Sequence, residues 1–247
     1  MPRDAFRGKF IVGNLKDDLD SPKTTEDANA WVQGILPYKA QLQSLKEKEI
    51  VICPSSLLAI TFRDLFKTHD LPIKVGLQTV GDRPVGPYTG NIAPEDLKHN
   101  EIEYSIVGHT EKMENGETPA QVIKQTEGLL DQEIVPILCF RELSELENYI
   151  KASEKIKQAA LSGKMCVAWE DPGNISKGGD YKPIPTERII EYAPKIREIA
   201  GQEVIFFYGA SVSPASVEGI FKAGAKGVLA GKASKTPEEF ANVIINA

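Results

Sequence analysis

The sequence is poor in what disulfide, metal and membrane proteins depend on. It holds only three cysteines, Cys53, Cys139 and Cys166, an odd count at unrelated spacings. None belongs to a CxxC pair or a Cys/His cluster, so neither a zinc site nor a disulfide framework is indicated. All three lie within or at the ends of apolar runs, where cysteine behaves as a small hydrophobe. No apolar run approaches membrane-spanning length. The opening MPRDAFRGKF lacks the apolar centre of a signal peptide, so a cytoplasmic protein is expected. Blocks of positive charge are missing too: 29 Lys and Arg stand against 35 Asp and Glu, scattered, for a net charge of −6. That balance argues against nucleic acid or an anionic membrane as partner, while leaving room for a local basic pocket around a small anion. There is no Walker A sequence and no GxGxxG after the first β-rich run, so no nucleotide site is read.

What is present is regular. Hydrophobic residues make up 41% of the 247, enough to bury a real core. Eight short β-rich runs recur: KFIVGN (9–14), EIVICP (49–54), IKVGLQ (73–78), EYSIVGH (103–109), IVPILCF (134–140), KMCVAWE (164–170), EVIFFYG (203–209) and KGVLAG (226–231). Each is nearly continuously apolar, as a parallel strand covered on both faces should be. Helix signals lie between them. Residues 24–48 open on a capping Thr and an acidic first turn, with Pro37 as a break. Segments 55–67, 118–132, 141–163, 185–201, 213–224 and 236–246 complete the series, several opening on Ser or Thr plus Pro and others ending at Gly. Strands alternating with helices predict an α/β chain folded as one closed (β/α)8 barrel over 1–247, with no linker to divide it. The loop QTVGDRPVGPYTGNIAP (78–94) is long enough to suggest function or an interface.

In such a barrel the chemistry sits at the C-terminal ends of the strands. Those ends supply Asn14 and Lys16, then His109 and Glu111, then Glu170, which stands just ahead of the mobile-looking PGNISKGG. Singly, Lys16 could be solvated, His109 a helix cap and Glu170 the start of a surface loop. Together they offer a cation, a neutral hydrogen-bonding acid and a carboxylate base at one mouth. The last two strands end in YGASVSP and LAGKAS, glycine-containing turns entering short helices. Loops at these positions commonly cradle phosphate with backbone N–H groups.

The triplet Asn14-Leu15-Lys16, YSIVGHTEK (104–112), LCFRE (138–142), VAWEDP (167–172), YGASV (208–212) and GVLAGKAS (227–234) together resemble the triosephosphate isomerase family, in order and spacing, from first strand to last helix. The resemblance implies aldose–ketose isomerisation of a small phosphorylated sugar through an enediolate. Glu170 would be the base, His109 the neutral acid, Lys16 the electrostatic stabiliser, and Asn14 and Glu111 its support. A Glu base, a neutral His tuned by a helix N-terminus and a closing loop are this family's own known arrangement, and the likeness alone brings them to this chain. Ser176, Ser211, Gly231 and Lys232 would hold phosphate, PGNISKGG would be the lid, and no metal or organic cofactor is called for. A homodimer joined through loop 78–94 is implied as well. The likeness leaves two further readings: an isomerase of another short phosphosugar such as a tetrulose phosphate, and a non-catalytic barrel that binds a phosphorylated ligand. One departure carries its own expectation. The family's lid usually begins Glu-Pro, and Asp171 in that place would raise the pKa of the base or disturb the hinge.

Overall fold

Eight parallel strands close on themselves in the computed structural model, which describes residues 8–174, 180–182 and 185–247. In chain order they are β1 (Lys9–Asn14), β2 (Lys48–Cys53), β3 (Lys74–Leu77), β4 (Tyr104–Val107), β5 (Val135–Phe140), β6 (Cys166–Trp169), β7 (Ile205–Tyr208) and β8 (Gly227–Ala230). β1 shuts the ring against β8, with Phe10 opposite Gly227 and Gly13 opposite Ala230. All eight expected runs are strands, their ends moved by no more than two residues.

Alternation along each strand sorts the apolar residues into two layers. Val12, Cys53, Ile106, Cys139, Ala168 and Phe207 fill the barrel interior. Their neighbours Ile11, Ile52, Val107, Leu138, Trp169 and Phe206 pack outward against the helices. All three cysteines thus end as free, buried interior hydrophobes. Burial alone pushes the Cys53 thiol far up, so it stays protonated.

The outer ring consists of α1 (Thr25–Ile35), α2 (Lys39–Ser44), α3 (Ala59–Thr68), α4 (Pro94–His99), α5 (Thr110–Glu114), α6 (Pro119–Asp131), α7 (Leu143–Ala152), α8 (Glu154–Leu161), α9 (Thr186–Ala200), α10 (Val217–Lys222) and α11 (Pro237–Asn246). Thr24 and Asp27 form a capping box at the start of α1, satisfying two backbone amides that the helix leaves without partners. The break expected at Pro37 is a 3-10 turn over Leu36–Tyr38 that separates α1 from α2.

Three expectations need correction. The stretch 141–163 is two helices, because Ser153 turns extended and its hydroxyl takes the Ile156 amide, capping α8. The helix expected over 213–224 is only α10, since residues before it are tied in a serine turn between Ser213 and Ser216. The loop from Gln78 stops at Ala93, where Asp96 caps the amide and Pro94 starts α4. α4 and α5 are too short to show periodicity; the reading of His109 as a helix cap is the one sign of α5, and His109 does cap it. α5 proves to be the one that shapes the mouth.

Candidate active site

β1 delivers Asn14 and, after the buried Leu15, Lys16. Lys16 has φ +52, a left-handed backbone that is strained for a residue with a side chain. Contacts on both sides hold it there. The Asn14 side-chain oxygen accepts from the Lys16 amide at 3.2 Å, and the Gln78 side chain donates to the Lys16 carbonyl at 3.1 Å. Gln78 also bonds the Cys53 carbonyl at 3.2 Å, so the ends of three strands are tied together. Strain persists only where the surroundings over-determine it, and here they aim an ammonium group over the mouth. Its Nζ meets Glu111 Oε1 at 2.5 Å.

β4 is followed by Gly108 and His109, and His109 is the N-cap of α5. The Glu111 amide donates to His109 Nδ1 at 3.3 Å, so that nitrogen is unprotonated in this bond. With Nδ1 accepting, Nε2 is the nitrogen that carries a proton, and it stands 2.9 Å from Glu170 Oε1. The start of a short helix thus selects the tautomer, and a protonated ring would lose that amide bond.

Glu170 follows β6 and is 2% exposed. Its other oxygen, Oε2, accepts from the Thr110 amide at 2.8 Å and from the Thr110 hydroxyl at 3.1 Å. Burial by itself raises this carboxyl, but His109 and the two Thr110 donors outweigh it and hold Glu170 below its ordinary value. Beneath the carboxylate, burial first and Glu170 next push the Cys139 thiol well up, so it stays protonated.

The expectation that Asp171 raises the pKa of the base is overturned; the lid it precedes lies, from 175 to 179, outside the described residues. Its carboxylate points away from the mouth, is fully buried, and takes Arg188 Nη1 at 2.7 and 2.9 Å. The base beside it is shifted down, not up. The compensating charge comes from α9, too far along the chain for sequence to suggest it.

Asn14, Lys16, His109 and Glu170 line one pocket with Tyr181, the Gly209–Val212 turn, Leu229, Gly231 and Lys232. Ser211 sits at the far end with φ +47. Its hydroxyl donates to the Asn174 carbonyl at 2.6 Å and accepts from the Lys182 amide at 3.3 Å. Gly231 starts a 3-10 turn over Lys232–Ser234, and the Lys232 ammonium lies 4.7 Å from the Tyr181 ring centre. Tyr181 is fixed by a 2.6 Å bond to Glu239. Ser176 lies outside the described residues, as does the rest of the expected lid from 175 to 179. Thr110, Gln78, Tyr181 and Arg188 are contributors that sequence reasoning misses. Thr110 has a signal, standing directly after His109; the others enter from distant segments.

A wider groove crosses α7, α8 and α9, lined by Leu143, Ile150, Lys151, Glu154 and Lys195 among others. Its cations are taken by neighbours, Lys151 by Glu147 at 2.9 Å and Lys195 by Glu191 at 2.6 Å. It lies between outer helices and shares no lining residue with the pocket at the mouth.

A closed (β/α)8 barrel with a carboxylate, an imidazole and an ammonium gathered at the C-terminal mouth carries the groups that acid–base chemistry on carbon requires. The chain belongs to the triosephosphate isomerase family: the model of that family matches residues 9–247. It is an isomerase. Proteins named triosephosphate isomerase from Dictyoglomus turgidum, Dictyoglomus thermophilum and Roseiflexus sp. are 28%, 29% and 27% identical to it. Each match spans 97% of this chain, and 99%, 99% and 97% of the respective relative.

Proposed function

We propose that this isomerase interconverts D-glyceraldehyde 3-phosphate and dihydroxyacetone phosphate in glycolysis and gluconeogenesis, with the whole chain as one catalytic unit. One observation carries the reading: His109 Nε2 and Glu170 Oε1 stand 2.9 Å apart while Nδ1 is occupied by a backbone amide. Glu170 leaves Thr110 and takes a proton from the carbon beside the carbonyl. His109 donates its Nε2 proton to the carbonyl oxygen as charge develops there, and Lys16 stabilises that charge. As the neighbouring oxygen becomes the new carbonyl its hydroxyl proton returns to His109 Nε2, and Glu170 delivers its proton to the other carbon, so both groups regain their starting states with no net redox change. Asn14 and Glu111 hold Lys16 in place. Phosphate is held by backbone amides at Ser176, Ser211 and Gly231, with Lys232 adding a cation. Binding energy from that remote group supports the chemistry at the reacting carbons.

A coupled assay with both trioses tests this directly. Turnover of both, with inorganic phosphate as a competitive inhibitor, is expected. Preference for a four-carbon ketose phosphate would move the assignment to a related phosphosugar isomerase, and phosphate binding without turnover would leave only a binding barrel.

The reading extends to a homodimer and to the cytoplasm, which three free buried cysteines suit. Among the described residues no helix is long and apolar enough to cross a membrane. Supporting the dimer, Leu19, Leu57, Val85 and Tyr88 are 98%, 90%, 63% and 39% exposed on the loops after β1, β2 and β3. Singly exposed apolar residues are ordinary, but four on loops that follow neighbouring strands at one end of the barrel suit a surface that a partner covers. The 78–93 loop is itself tied, Gly81 to the Ile92 carbonyl at 2.8 Å and Asn91 to the Arg83 carbonyl at 3.0 Å, so Val85 is presented on a preformed finger. Sedimentation is expected to give twice the chain mass, and Val85→Asp to shift the population to single chains.

A further inference from the structure

Side chains alternate along β6 and its extension, so Ala168 and Glu170 point into the barrel while Trp169 and Asp171 point out toward α9. Whatever holds 169 and 171 from outside therefore sets the direction of 170 inside. One side chain does both. Arg188, in the first turn of α9, places its guanidinium 5.2 Å from the Trp169 ring centre and 5.6 Å from that of Tyr192. Through Nη1 it bonds both oxygens of Asp171. The rest of the cluster is equally tied. Trp169 stacks on Tyr192 at 4.2 Å and 17°, and its indole N–H bonds the Arg141 carbonyl at 3.1 Å. Asp171 also receives the Asn174 side chain at 2.6 Å and the Gly173 amide at 3.2 Å.

We propose that Arg188 is a positioning residue for the reaction: it clamps both backbone neighbours of Glu170 and neutralises the carboxylate at 171. This rests on the reading of Glu170 as the base. A guanidinium suits the task because it stacks on an aromatic face while donating in its plane, which an ammonium group does not do. The pairing is also what permits an acidic residue beside the base, since a buried carboxylate without a partner is strongly disfavoured. The charged and titratable groups facing Glu170 are His109, Cys139, Lys16 and, at longer range, Arg141; those facing Asp171 are Arg188 and the Tyr208 hydroxyl. Loss of Arg188 leaves the buried carboxylate of Asp171, the residue next to the base in the chain, without its guanidinium partner. The carboxylate that Lys16 pairs with, Glu111, is by contrast half exposed.

The test uses the full chain, steady-state kinetics on both trioses, and kcat/KM against pH. In Arg188→Met, kcat is expected to fall on the order of 100-fold with KM nearly constant, because misplacing a reacting group by about 1 Å costs that much. Its acid limb is expected at higher pH than the parent's. Arg188→Lys keeps the cation but loses the flat face, so a smaller fall in kcat with an unmoved acid limb is expected. The Asp171→Asn/Arg188→Met double variant removes both charges, and should recover the parent's acid limb while kcat stays low. If Arg188→Met does not fold, the other two variants decide by the same criteria. Parent-like kcat and acid limb in Arg188→Met overturn the clamp, as does a loss of activity that merely tracks the folded fraction in all variants. A parent inactive on both trioses overturns the underlying reading instead, so the two failures are distinguishable.

Discussion

Glu170→Gln is expected to lower kcat by roughly 10²–10⁴-fold, the range that a positioned general base contributes, with KM changed little. The amide has the same size but cannot accept the proton. It also fits the resting site poorly: both carboxylate oxygens accept there, from His109 and from Thr110, whereas an amide presents one NH2 group. The pH dependence follows from the same contacts. Because Glu170 is held below its ordinary 4.5, the free enzyme's kcat/KM should keep its base ionised down to below pH 4.5. The folding stability linked to this group has the same sign. It is fully present above the unfolded value and is lost as pH falls through the lower folded value. An acid limb in kcat/KM lying clearly above pH 4.5 and assignable to Glu170 would contradict the geometry.

His109→Gln is expected to reduce kcat/KM by about 10²–10³-fold, the loss seen when one donor to a developing oxyanion is removed. Glutamine still has an N–H, but it lacks a ring fixed by the Glu111 amide on its opposite side. Its donor is therefore no longer held toward the position Glu170 now occupies. Two signatures separate this variant from Glu170→Gln. Competitive inhibition by phosphate should survive in both, because the Ser211 and Lys232 end of the pocket is untouched. Only His109→Gln should move the acid limb upward, since the main group holding Glu170 down has gone. Unchanged turnover in His109→Gln would remove the imidazole from the mechanism.

Much of the molecule is legible in its pattern because the relevant information is local. A run such as VPILCF is apolar at every position, and that is enough to mark a strand covered on both faces. Pro37 stops a helix by a steric rule that needs no neighbours. Lys16, His109 and Glu170 can be picked out because barrel strand ends converge by construction, so sequence position translates into place. The break at Ser153 is harder to see, because amphipathic spacing continues across it and only the serine's backbone turn divides the helices. α5 is hard to see for another reason: five residues carry no period and only the cap at His109 hints at them, yet its first amides bond His109 Nδ1 and hold Glu170.

Asp171 marks the limit most clearly. Along the chain, a second carboxylate beside the base predicts repulsion and a raised pKa. In the folded protein strand alternation sends the two carboxylates to opposite sides of the sheet, and a guanidinium from α9 meets the outer one. Sequence alone determined the barrel, the order of its strands and the identity of the groups at its mouth, because apolar burial and strand-end convergence follow from short-range pattern. Tertiary structure decided their protonation and aim, because charge compensation and hydrogen bonding fall off within a few ångströms, and those distances exist only once distant segments have packed together.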